Sequence, residues 1–140
     1  MKDKFFIDTN IFVYTFSPGY PEKMEKSRAI VREAHTHGHG CISYQVVQEF
    51  LNVALKKFTA PLSPSDCEKY LDAVLAPLCK IYAGPGLFHK ALNVYERWKF
   101  SFYDALIVAA ALNTNCNILY SEDLQHQQAV ETMTIINPFV

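Results

Sequence analysis

Short apolar runs, each closed by turn or acidic residues, alternate with longer amphipathic stretches along this chain of 140 residues. That alternation is the pattern of an α/β domain, because a strand reaches a parallel neighbour only through a crossover long enough to hold a helix. The candidate strands are Phe5–Ile7, Cys41–Ser43, Leu78–Tyr82, Ile118–Tyr120 and Thr134–Ile136. Helical spacing of apolar residues predicts helices over 22–34, 45–57, 65–75 (capped by Ser65), 87–99 and 104–113. The last is almost wholly apolar, which predicts a helix buried on every side. With right-handed crossovers, these elements predict a three-layer α/β/α sandwich around a mostly parallel five-stranded sheet, one domain over residues 1–140.

Half of the residues are apolar and 19% are charged, the balance of a globular protein rather than a disordered one. The net charge of −1 provides no global field toward nucleic acid, so any such substrate must be held by local basic residues or bound metal. Cys41, Cys67, Cys79 and Cys116 have no close spacing and are expected as reduced, buried thiols. The apolar start is too short for a signal peptide, and the longest apolar run, Ala105 to Leu112, is far below the roughly 20 residues of a membrane span. The expected location is the cytoplasm, with no membrane partner.

In open parallel sheets ligands bind beyond the carboxyl ends of the strands, where strand order reverses. Asp8 ends the first strand and Asp123 follows the fourth. Glu49 falls at the polar border of a helix face shared by Val46, Phe50 and Val53, and Asp104 begins the most apolar helix. Each acid has an ordinary explanation: a helix cap or turn for Asp8, Asp104 and Asp123, a solvated carboxylate for Glu49. Glu122 points elsewhere if Asp123 points inward. Together the four form an improbable accident, since clustered carboxylates raise one another's pKa unless a cation intervenes. Oxygen ligands without a His or Cys cluster suit Mg²⁺ or Mn²⁺.

Phe6-Ile7-Asp8-Thr9-Asn10, Gln48-Glu49-Phe50, Ser101-Phe102-Tyr103-Asp104-Ala105-Leu106-Ile107, Ser121-Glu122-Asp123-Leu124 and Ile135-Ile136-Asn137-Pro138-Phe139 span nearly the whole chain. In this order and spacing they resemble the PIN domain, most closely its VapC-type toxin branch. The resemblance implies a metal-dependent endoribonuclease acting on RNA, often structured RNA such as transfer RNA, and leaving 5′-phosphate and 3′-hydroxyl ends. It implies Asp8, Glu49, Asp104 and Asp123 as catalytic and metal-holding residues, with Thr9, Asn10 and Ser121 as polar supports that orient them. It also implies a homodimer and an inhibitory antitoxin. Relatives commonly carry a glycine in the rim turn where Gln127 and Gln128 stand.

Lys56, Lys57, Arg97 and Lys99 are candidate phosphate contacts at the mouth of the site. His35, His37 and His39 read as a solvated loop, having no fourth ligand in view. Trp98, Phe100, Phe102 and Tyr103 read as core or dimer packing rather than base-stacking residues. A haloacid-dehalogenase-type phosphotransferase needs a second Asp where Asn10 stands, and a receiver domain needs paired acids and a late lysine that this chain lacks. The alternative of another class is a catalytically inactive PIN-like module that binds RNA or regulates.

Overall fold

The computed structural model describes residues 3–140. Its six-stranded sheet has the order β3-β2-β1-β4-β6-β5. The strands are β1 (Phe5–Ile7), β2 (Gly40–Ser43), β3 (Cys79–Ile81), β4 (Ile118–Tyr120), β5 (Ala129–Val130) and β6 (Met133–Ile136). All pairings are parallel except β5 with β6. The five expected strands are present, and β5 is an addition: two residues that fold back on β6 as a hairpin. Helices α1 (Thr9–Tyr14), α2 (Pro21–His37), α3 (Tyr44–Lys56), α4 (Pro64–Tyr70), α5 (Ala76–Leu78), α6 (Pro85–Trp98) and α7 (Phe102–Asn113) flank the sheet. No helix among the described residues is long and apolar enough to cross a membrane.

The chain runs outward from β1 through β2 to β3, then returns to pair β4 on the other side of β1. The reversal between β1 and β4 opens a crevice at their carboxyl ends. β1 is buried along its length, and the Asp8 amide donates to the Tyr120 carbonyl at 3.0 Å, so the residue after β1 is tied to the end of β4. Helix α7 is buried from Ala105 to Ala111, as its composition requires, and packs on α6 and β2.

Several boundaries differ from the sequence expectation. Helix α1 follows Asp8 directly, in keeping with the cap reading of Asp8 although it is not among the helices expected from apolar spacing. Helix α2 continues to His37 and stops at Gly38, whose φ of 70° is the left-handed conformation that glycine adopts freely. His35 and His37 therefore lie in a last helical turn rather than a loop, about 200° apart around the axis, and share no face. Ser63, not Ser65, caps α4: its hydroxyl accepts from the Asp66 amide at 3.1 Å, with Pro64 in the first helical position. That helix then widens into a π turn over Leu71–Leu75 before α5.

The thiols of Cys41, Cys67 and Cys116 are buried and that of Cys79 is half-buried; all are free. A Cβ on Gly40 would stand 2.3 Å from the Ala34 Cβ and 2.9 Å from its Cα, so α2 crosses β2 as closely as backbone allows. Gly40→Ala is expected to lower stability by about 1–3 kcal/mol, the range for overpacking, read as an earlier urea midpoint. An unchanged midpoint would mean that α2 moves aside freely.

Candidate metal centre at the strand reversal

Asp8 has extended backbone angles and accepts from the Thr9 amide through Oδ1 at 2.8 Å, so it does cap α1. Its other oxygen, Oδ2, accepts from the Ser121 hydroxyl at 2.8 Å. The capping and cleft-facing readings thus describe one side chain. Glu49 stands on α3, where Val46 and Phe50 are buried and Val53 is half-buried. Its Oε1 accepts from the Thr9 hydroxyl at 2.6 Å. Asp104 is the third residue of α7. Ser101 is the cap there, its hydroxyl accepting from the Asp104 amide at 3.3 Å, which leaves the Asp104 carboxylate free of the capping role expected for it. Asp123 follows β4 and accepts from the Asn10 amide at 2.9 Å.

All four carboxylates line one cleft of about 320 Å³, together with Thr9 and Asn10. Ser121 supports Asp8 from beneath. Of the four expected cations, Lys57 lines the cleft, whereas Lys56, Arg97 and Lys99 do not. Lys56 and Lys57 are chain neighbours, and the turn of α3 directs them differently. Glu122 is held away from the cleft by the Tyr14 hydroxyl at 2.6 Å and by the Lys23 ammonium. Against the cost of burial, those two donors keep its carboxyl below the usual range.

Burial is the main reason that the Asp8 pKa is pushed up to about 6; hydrogen bonds from Ser121 and Thr9 oppose it, and the charges of Glu49 and Asp123 add to it. Asp123 is also raised, first by desolvation and then by Glu122, Asp104 and Glu49. This electrostatic stress is the observation against which a cation can be tested. A divalent ion relieves it, and the all-oxygen donor set suits a hard one. Among the described residues no three His, Cys, Asp or Glu side chains are already gathered closely enough to grip an ion. Asp8, Glu49 and Asp123 are instead held by the hydroxyl and amide donors around them.

Sequence reasoning missed Gln45. Its side chain is 5% exposed, and Nε2 donates to Glu49 Oε2 and to the Tyr103 carbonyl, both at 3.3 Å. It thereby braces the carboxylate of α3 against the first turn of α7. The available signal was its position four residues before Glu49 on the same helix face. Residues that orient metal-holding side chains typically contribute about 10–100-fold to metal affinity. Gln45→Leu is accordingly expected to weaken Mn²⁺ binding by about that factor in a titration calorimeter. Equal affinities would make the brace incidental.

In the rim turn Gln127, rather than a glycine, sits at φ 69°, and its amide donates to the Ile135 carbonyl at 2.7 Å. A side chain in that left-handed region costs about 1–2 kcal/mol.

The sequence model of the PIN domain matches residues 5–131, and the chain belongs to the PIN domain family. No curated protein matches it. Among solved structures, a toxin-antitoxin complex from Klebsiella pneumoniae superposes with a TM-score of 0.66 at 16% identity, over 95% of this chain and 96% of that one. PAE2754 from Pyrobaculum aerophilum gives 0.58 at 17%, over 99% and 95%. VapBC2 from Rickettsia felis, bound to a DNA fragment from its promoter, gives 0.58 at 14%, over 94% and 96%. At such identities these likenesses speak for the fold.

Proposed function

We propose that this chain is a divalent-metal-dependent endoribonuclease, the toxin of a toxin-antitoxin pair, with Asp8, Glu49, Asp104 and Asp123 holding Mg²⁺ or Mn²⁺. The observation that carries the reading is the convergence of four carboxylates from β1, α3, α7 and the end of β4 on one cleft at the strand reversal. Bound there, the ion supplies a Lewis acid for the scissile phosphate and a water of lowered pKa. The protein's part is positional and electrostatic. Thr9 directs Glu49, Ser121 directs Asp8, and Asn10 directs Asp123, while one of the acids accepts the proton of the attacking water. Lys57 faces the phosphate backbone from the cleft wall. Hydrolysis breaks the P–O3′ bond and leaves a 5′-phosphate and a 3′-hydroxyl.

The antitoxin follows from the VapC resemblance; one of the structural neighbours is described as a toxin-antitoxin complex and another as VapBC2 bound to a promoter DNA fragment. A second copy is the other expected partner, and Phe88, Leu92 and Tyr95 give α6 an exposed apolar stripe at helical spacing. The deciding experiment incubates purified protein, freed of any co-purified inhibitor, with total RNA in Mg²⁺ or Mn²⁺, beside EDTA and an Asp104→Asn variant. Cutting that both controls abolish supports the reading. A folded chain that cuts nothing in either metal overturns it in favour of the inactive RNA-binding or regulatory module.

A further inference from the structure

A strand of nucleic acid meets an unfavourable field at this cleft. Four carboxylates line it, the chain carries a net charge of −1, and Lys57 is the single cation among the described lining residues. Counterion release from one phosphate contact is a small contribution, with a slope of about −0.7 in log K against log salt for a single strand. Within the cleft, affinity beyond the bound ion therefore rests mainly on contacts that do not depend on charge. One lining side chain is suited to provide them. Tyr103, immediately before Asp104, is 69% exposed. The nearby Trp98, Phe100 and Phe102 are partly buried and packed on the core, and the other well-exposed tyrosines, Tyr20, Tyr82 and Tyr95, lie outside the cleft.

The backbone under Tyr103 is held from two sides and its ring has one aromatic neighbour. Its helix is the buried one, its carbonyl accepts from the buried Gln45 amide, and its ring and that of Phe102 form a T-shaped pair at 5.7 Å and 71°. A T-shaped contact leaves ring face available, and a preset aromatic surface loses little entropy when a base lies on it. We infer that the Tyr103 ring is a platform on which an unpaired base next to the scissile phosphate stacks. The inference rests on the nuclease reading and adds a nucleobase subsite to it. Any base presents a π face, so the platform selects for an unstacked nucleotide rather than for one letter.

The test uses fluorescence anisotropy in Mg²⁺ on Asp123→Asn chains, where loss of one metal-holding carboxylate is expected to stop cutting, with residue 103 as Tyr, Phe, Leu or Ala. The probes are an end-labelled oligoadenylate of eight nucleotides and an abasic strand of equal length. Stacking on one base contributes about 10-fold. Tyr103→Ala and Tyr103→Leu should each weaken the oligoadenylate by about that factor and Tyr103→Phe should not, while affinity for the abasic strand and the salt slope stay constant. Equal losses on both strands, or no loss on either, overturn the platform. So does a change in oligomer mass at unchanged affinity, which would place the ring in a contact between copies. If the wild-type chain cuts RNA while Tyr103→Ala binds like its parent, the platform alone is lost. A wild-type chain that cuts nothing removes the nuclease reading itself.

Discussion

Asp8→Asn is expected to melt at a higher temperature than the wild type in EDTA, and to cut RNA at least about 10²-fold more slowly in Mg²⁺. Both effects come from one buried carboxylate. The activity loss follows because an amide removes a charged ligand from an assembly that provides several kcal/mol of transition-state stabilisation, and about 1.4 kcal/mol is a factor of ten. The stability gain follows from linkage. Burial raises the folded-state pKa of Asp8 from 3.8 to about 6, so the native chain holds that proton more tightly than the unfolded chain does. The associated stability is fully present below the unfolded value and is lost as pH rises through about 6. By pH 8 the metal-free native state carries a penalty of about 3 kcal/mol, from a shift of about two units at 1.36 kcal/mol each. An asparagine has no such titration and can still accept a hydrogen bond from Ser121 or Thr9. Urea denaturation between pH 5 and 8 reads the result directly. A slope as steep in the variant as in the wild type would assign the titration to another group.

Metal should act in the opposite direction. A ligand that binds only the native state stabilises it by mass action, about 2.7 kcal/mol at a hundred times its Kd. Mn²⁺ should therefore raise the melting temperature of the wild type by several degrees. The increment should be larger at pH 8 than at pH 5, where protons on Asp8 and Asp123 compete with the ion. Calorimetry with millimolar Mn²⁺ against EDTA measures it. Superposable melts at pH 8 would show that the four acids do not hold a cation.

Much of this arrangement was legible in the residues because the informative signals are local. An apolar run ending in Asp, as in Phe5-Phe6-Ile7-Asp8, reports both a buried strand and a group at its carboxyl end, and the alternation of strands and helices led to the reversal where those ends meet. What was missed is either very short or depends on distant partners. Strand β5 has two residues and α1 has six, too few for a period to register. Asp104 looked like a cap because acids are favoured both at the cap and within the first turn; only geometry assigns the cap to Ser101. The alternation of His35 and His37 suits an extended strand, and the continuation of α2 dissolves it. Gln45 is an amide among four acids, and its role becomes visible only once α7 is laid beside α3. Likewise, nothing local separates Lys57, inside the cleft, from Arg97 and Lys99 outside it.

The reversal between β1 and β4 has a kinetic consequence. Asp8 and Glu49 belong to the half of the fold built outward from β1, Asp123 to the half that begins at β4, and Asp104 to the crossover helix α7 that leads from one to the other. Where those halves meet edge to edge, the strands pair over only three residues. An ion shared by the four side chains would act as a rivet across that seam, absent from any partly opened form in which the halves have separated. Metal should then slow hydrogen exchange most at the amides that open with the seam: those of Asp8 and Ile118, which bond across it, and those of Phe6 and Tyr120, which the alternation along each strand directs the same way. The rim turn around Gln127, whose amide bonds to β6 and not across the seam, should exchange at the same rate with or without it.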